Sequence, residues 1–403
     1  MRFSDAKSPL SFCGHGAGPA PGLGAALLAS LLALVLLSGC AALERGHDAL
    51  LVLGDLAAGD EPSRLKRHTS TPDREDLAYT VAGRAYVADL YHPATPHRGA
   101  LLLVHGLTEA GRRDPRLMAL ARTLARVGFT VMVPELPGLR DFDVGMREVE
   151  GIADAIRHAT AEVAAAESGT ALAAISFAVG PALLAAMQPE TAHRVPFVIA
   201  VGGYYDLTDM LRYVTTGVDR GASGRDVPSP RREARWLILL SQLHRLEDAG
   251  DRARLEAIAR RRLAGDDEPM PEVQHLGPDG KALYELITNR DPNRVAALVE
   301  ALPASLETQF EALDLSARNL ESLQARLVLI HGPDDRVIPI SHSRRLRDAL
   351  SPGQARLFET RALGHVEVSA DWLEGWTLWR AIYHVLALAD LTARPGTTPP
   401  ARP

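Results

Sequence analysis

The stretch ALAAISFAVGPALLAAM, residues 171–187, places a single hydroxyl, Ser176, where an apolar run that reads as a buried strand gives way to a helix. The run ARLVLI is followed by HGPDDRVIP, with Asp334 and Asp335, and the run ARLFET by RALGHVE, with His365. A serine, an acid and a histidine thus occur in that chain order, each just past a strand-like segment. In parallel α/β sheets active sites gather at the C-terminal ends of the strands, and these residue types are those of nucleophilic catalysis. Two readings of Ser176 stand at this point: a packed serine whose hydroxyl bonds back to the backbone, or a nucleophile held at a turn.

The elements that would position these residues follow from pattern. LAYTVAGRAYVADLYHP alternates apolar and polar residues around Gly83, which predicts a β-hairpin. GALLLVHG, FTVMVPELPG, TALAAIS and VPFVIAVGG are continuous apolar runs, as strands buried on both faces should be. Helical segments separate them: DPRLMALARTLARVG with Gly128 as a C-cap, a long helix from Val144, and FAVGPALLAAM. From 206 to 322 the rhythm changes to charged helical text, and alternation resumes with ARLVLIHG, the helix ISHSRRLRDALS, ARLFETRALGH and a last helix from Ser369. Strand–helix repetition implies a mostly parallel sheet, here interrupted by a helical insertion before the acid-bearing strand.

In these pieces the sequence resembles the α/β-hydrolase superfamily over residues 77–205 and 323–390. LLLVHGL is similar to the strand that ends in His-Gly beside an oxyanion hole, AISFA to the nucleophile elbow, HGPDDRVIP to the acid loop, and Gly364-His365 to the histidine loop. The resemblance implies a mostly parallel eight-stranded sheet and a Ser-Asp-His triad of Ser176, Asp335 and His365. His365 would take the serine proton, and Asp335 would fix its tautomer and stabilise the imidazolium. The backbone N–H groups of Phe177 and Leu107 would form the oxyanion hole. The insertion becomes a cap over Ser176, with YYDLTDMLRYVTTG as its stalk. Tyr205, Met210, Leu211 and Tyr213 would be either pocket wall or the cap's own underside.

Where the usual motif is Gly-x-Ser-x-Gly, this chain has Ala174 and Ala178. Each adds a Cβ at the tightest part of the turn, and Gly180 stands one turn on to relieve packing between helix and strand. Asp334 reads as a turn former, and Asp206, after another strand end, is an alternative acid. His331 reads as a strand-end residue and His342 as the start of a solvated helix. Trp372, Trp376 and Trp379 lie on one face of the last helix with Tyr383 and Leu386, a stripe that reads as packing on the sheet rather than as membrane contact.

The N-terminus bears on location. GLGAALLASLLALVLLSGCAAL holds an apolar run of about 15 residues, short of the ~20 a membrane span needs and suited to a signal peptide. Leu37-Ser38-Gly39-Cys40 is similar to a bacterial lipobox. The reading is therefore a signal peptide over 1–39, a lipidated N-terminus and tether over 40–76, the core, cap and core as above, and a disordered Pro-rich tail over 391–403. Cys13 would leave with the signal and Cys40 would carry the lipid, which removes thiol catalysis and disulfides. Ala41 and Ala42 favour the outer membrane, facing the periplasm.

The chain of 403 residues has 46% hydrophobic residues and a net charge of −6, which suits a globular protein and gives no electrostatic case for nucleic-acid binding. It contains no HExxH, G-x-G-x-x-G or P-loop, so no metal or cofactor is expected. Two function classes share this fold: a membrane-tethered serine hydrolase of a carboxylic ester, lipid and other acyl esters included, or a non-catalytic lipoprotein with a binding or envelope-assembly role.

Overall fold

The computed structural model describes residues 23–94, 98–163, 169–221, 227–266, 268–364, 367–368 and 372–392. The start of the expected signal peptide, the end of the expected tail, and His365 lie outside the described residues. The chain divides into two units, Met1–Gly46 and His47–Pro403. The sheet and the cap belong to the second.

Eight strands form one sheet: β1 (Arg74–Val81), β2 (Arg84–Tyr91), β3 (Ala100–Val104), β4 (Thr130–Pro134), β5 (Thr170–Ile175), β6 (Phe197–Val201), β7 (Arg326–His331) and β8 (Ala355–Glu359). Their order is β1-β2-β4-β3-β5-β6-β7-β8. β2 runs antiparallel to β1 and β4, and β4 through β8 are mutually parallel, so the expected architecture is present. The hairpin pairs Val81 with Arg84 across Ala82 and Gly83, at φ 50° and 79°. Two left-handed residues in a row match the right-handed twist of the strands they join. β3 and β4 are buried throughout, which is why they read as unbroken apolar runs.

The helices are α1 (Leu23–Ala58), α2 (Arg64–His68), α3 (Pro115–Arg126), α4 (Pro137–Arg140), α5 (Met146–His158) and α6 (Val179–Ala186), then the cap helices α7 (Leu207–Thr216), α8 (Ala234–Gln242), α9 (Ala249–Leu263), α10 (Pro278–Thr288), α11 (Val295–Glu300) and α12 (Ala304–Leu313), and finally α13 (Ile340–Asp348) and α14 (Trp372–Thr392). One core cluster joins the sheet to α5 and α6 through Leu102, Met132, Leu172, Ile152 and Leu183. A second joins the other face to α1, α3 and α14 through Leu101, Val131, Ala49, Leu117 and Leu386. The cap has a core of its own, with Leu211, Leu239, Leu255, Leu283 and Leu306.

The structure differs from expectation after Gly46. Residues 47–68 do not stand off the domain as a tether. Ala49, Val52 and Leu65 are buried in the second cluster, and buried Asp55 accepts hydrogen bonds from Ser63 and from Thr123 Oγ1 (2.6 Å) on α3. Their spacing in HDALLVLGDL, every three or four residues, is that of a helix with one face in a core. Among the described residues no helix is long and apolar enough to cross a membrane.

Candidate active site

β5 ends at Ile175, and Ser176 opens a 3₁₀ turn (Ser176–Ala178) that leads into α6. To reverse direction there the chain puts Ser176 at φ 57°, in the left-handed region. A residue with a Cβ reaches that region only at a cost, and among the described non-glycine residues only Ala82 and Phe142 share it with Ser176. Ala174 and Ala178, in place of the customary glycines, are fully buried and the turn forms all the same. Gly180 is required for a separate reason: a Cβ there would overlap the hydroxyl of Tyr204. That hydroxyl is fixed by donating to Leu313 O at 3.0 Å, and the Tyr204 ring packs on Phe177 at 4.8 Å.

The loop after β3 lies against this bend. A Cβ on Gly106 would come within 3.2 Å of Ile175 O and 3.6 Å of Ser176 Cβ. His105 is buried, and its Nδ1 lies 2.8 Å from Gly106 O. A carbonyl only accepts, so Nδ1 carries the proton; burial pushes the pKa of this imidazole down and keeps it neutral. Because the peptide is planar and trans, pinning Gly106 C=O toward His105 points the N–H of Leu107 the opposite way. The N–H of Phe177 is among the first of a helical turn, which lack intrahelical acceptors. Phe177 directly follows the serine, and Gly106, one residue before Leu107, packs against Ser176 Cβ.

Ile175, Val201 and Ile330 share one row of the sheet, so β5, β6 and β7 end level with one another. Two strand spacings, about 10 Å, separate the serine's strand from the acid's, a gap that serine, imidazole and carboxylate side chains reaching inward can fill. Asp335 is buried, with Oδ1 accepting from Val337 N–H (2.8 Å) and Ile338 N–H (3.1 Å). Gly202, at φ 64°, brings the end of β6 close to its Oδ2. Asp334 is exposed and pairs with Arg361 at 3.0 Å. His365 lies outside the described residues.

The other candidates have different occupations. Asp206 caps α7, its Oδ1 accepting from Asp209 N–H at 2.9 Å, and its Oδ2 pairs with Arg345 at 2.8 Å. His331 is spent on Ile338 O (2.8 Å) and Ser343 Oγ (2.7 Å). His342 corrects the sequence reading. It is buried in α13 rather than solvated, and its Nδ1 accepts from Tyr205 N–H (3.2 Å) and Asp206 N–H (3.4 Å), which ties α13 to the exit of β6. Burial pushes its pKa down to about 3.

Of the four expected wall residues, Met210, Leu211 and Tyr213 are buried. Leu211 lies in the cap's core, and Tyr213 donates to Pro228 O at 2.7 Å. Tyr205 stays half-buried, as do Leu107, Phe177 and Val337. The cap adds Ile238 and Phe310, which pack against both its own core and the sheet's. No sequence signal pointed to these two, because their place depends on how the cap docks. A cavity of about 380 Å³ lies elsewhere, at the cap's root, lined by Asp206, Asp209, Arg212 and Arg345. Arg345 pairs with both aspartates and Arg212 with Asp209, so it is an ionic junction rather than a substrate pocket.

Strand order, elbow and acid loop define an α/β-hydrolase fold. No family model and no curated protein matches the chain. Among solved structures, a Legionella pneumophila protein described as a hydrolase superposes with a TM-score of 0.51 at 14% identity, over 81% of this chain and 90% of that one. An α/β hydrolase from Penicillium gives 0.45 at 20% identity, covering 79% and 98%. A puromycin-hydrolysing peptidase of Mycobacterium tuberculosis gives 0.46 at 17%, covering 80% of this chain and 39% of that one.

Proposed function

We propose that the protein is a serine hydrolase of a carboxylic ester, held at a bacterial cell envelope by lipid on Cys40. The observation that carries the reading is the left-handed backbone of Ser176 at the β5–α6 junction, level with the loop that buries Asp335. Ser176 Oγ attacks the acyl carbon as His365 takes its proton, and the N–H groups of Phe177 and Leu107 receive the developing oxyanion. The leaving alcohol takes the proton back from His365. Water, activated by the same imidazole, then releases the acid from the acyl-enzyme.

Thioesters and amides could enter the same machinery. The amide is the least reactive of the three, because an amine leaves with more difficulty than an alcohol or a thiol. The second reading, a non-catalytic lipoprotein that keeps the fold for binding, draws on the alanines at 174 and 178. A fluorophosphonate separates the two. Labelling of Ser176, lost in His365→Ala, with p-nitrophenyl acetate turned over faster than the matching anilide, supports the esterase. No label and no turnover would establish the binder.

A further inference from the structure

Among the residues that the proposed reaction leaves unused, Trp376 on α14 is 59% exposed and stacks on Trp379 at 4.7 Å. Trp379 and Tyr383 are half-buried against the second core, so only part of that stripe packs as expected. His331 is the opposite case. Its side chain is fully buried at the end of β7, where the loop that carries Asp335 begins. A buried polar ring must find its hydrogen bonds inside the protein, and the partner of each nitrogen shows the role that nitrogen takes.

Nε2 lies 2.8 Å from Ile338 O. A carbonyl oxygen only accepts, so Nε2 carries the proton. Nδ1 lies 2.7 Å from Ser343 Oγ on α13. The buried Ser343 hydroxyl has no other hydrogen-bond partner among the described residues, so it donates and Nδ1 accepts. Ser343 thereby sets the tautomer of His331. The same Nε2–H faces the carboxylate, with Asp335 Oδ2 3.4 Å away. Were the proton on Nδ1 instead, a lone pair at Nε2 would confront both the carbonyl and the carboxylate oxygen.

This arrangement fixes the loop from both sides. Ile338 is held at its N–H by Asp335 Oδ1 (3.1 Å) and at its C=O by His331. Val337 N–H gives Oδ1 a second donor at 2.8 Å. The loop is thus closed on itself, from the last residue of β7 to Ile338, with the carboxylate of Asp335 inside the closure.

We infer that His331 and Ser343 are positioning residues for the acid. Ser343 fixes the His331 tautomer, and the Nε2–H of His331 fixes the loop and the Asp335 carboxylate that orients the catalytic imidazole. The inference rests on the reading of Asp335 as the acid of a Ser176 triad.

Ser343→Ala, His331→Gln and His331→Leu are compared with the parent on p-nitrophenyl acetate, with active sites counted by exhaustive fluorophosphonate labelling. Ser343→Ala and His331→Leu should lower kcat about 10–100-fold per labelled site, with KM changed less than about twofold. His331→Gln keeps a donor within reach of Ile338 O and should recover part of the loss. The acid limb of the kcat/KM profile should move to lower pH in the weakened variants, because a displaced carboxylate no longer favours the imidazolium. In an Asp335→Asn background His331→Leu should cost less than about threefold more, as expected of groups that act as a unit. Variants that lose urea midpoint yet keep kcat and the acid limb overturn the inference, and so does a full effect in the Asp335→Asn background. Should His331→Leu fail to fold, Ser343→Ala and His331→Gln decide. An active parent with unchanged variants overturns the positioning role alone, whereas a parent that neither labels nor turns over removes the Ser176 reading as well.

Discussion

Ser176 holds a backbone conformation that costs a residue with a Cβ about 1–3 kcal/mol, so its neighbours must over-determine it. They do: β5 is bonded to β3 and β6 on either side, Ala174 and Ala178 are walled in, and Gly106 presses from the next loop. If the strain serves chemistry, relieving it should leave the fold intact and end the reaction. Ser176→Gly is therefore expected to match or exceed the parent in urea midpoint while losing all ester turnover, whereas Ser176→Ala loses turnover without gaining stability. A marked drop in the glycine variant's midpoint would show that the turn is not strained. The acids separate in the same way. Asp335→Asn should lower kcat on the order of 10³–10⁴-fold by removing the partner that orients the imidazole. Asp206→Asn should keep turnover and cost about 1 kcal/mol, since its work is to cap α7 and pair with Arg345. Loss of turnover in the second variant alone would move the acid to β6.

At the scale of elements, α13 shows what a sequence conceals. ISHSRRLRD reads as hydrophilic, yet Ile340, Ser341, His342, Ser343 and Leu346 are its buried residues. The helix buries small polar side chains because their partners wait inside: His331 for Ser343, and two backbone N–H groups for His342. No periodicity in one segment reports acceptors and donors supplied by another. The consequence is measurable. The pKa of His342 falls from an ordinary 6.5 to about 3 on folding. Above pH 6.5 both states are neutral there and its contribution is complete. As pH falls from 6.5 toward 3 the unfolded chain takes up a proton that the folded chain refuses, so stability declines by up to about 1.4 kcal/mol per pH unit. The parent should therefore lose urea midpoint more steeply than His342→Asn between pH 6.5 and 4. Parallel slopes for the two proteins would refute the assignment.

Taken as a whole, the molecule was legible where one segment's pattern sufficed and obscure where two segments meet. The buried strands, the hairpin at Gly83 and the break at 206 all follow from runs of residue types, and so did the order of serine and acid at strand ends. The docking of Ile238 and Phe310 from the cap, and of Ala49 and Val52 from α1, did not, because each depends on a surface formed by distant residues. That docking bears on the anchor. With residues 47–58 seated on the sheet, that stretch is not available as part of the tether expected after Cys40. One acyl chain binds a membrane only marginally, whereas the several chains of a processed lipoprotein hold it firmly. Metabolic labelling with a fatty acid should mark the parent and not Cys40→Ala, and the variant should pass into the soluble fraction with its ester turnover unchanged. Continued labelling of Cys40→Ala would place the lipid on another residue and overturn the Cys40 anchor.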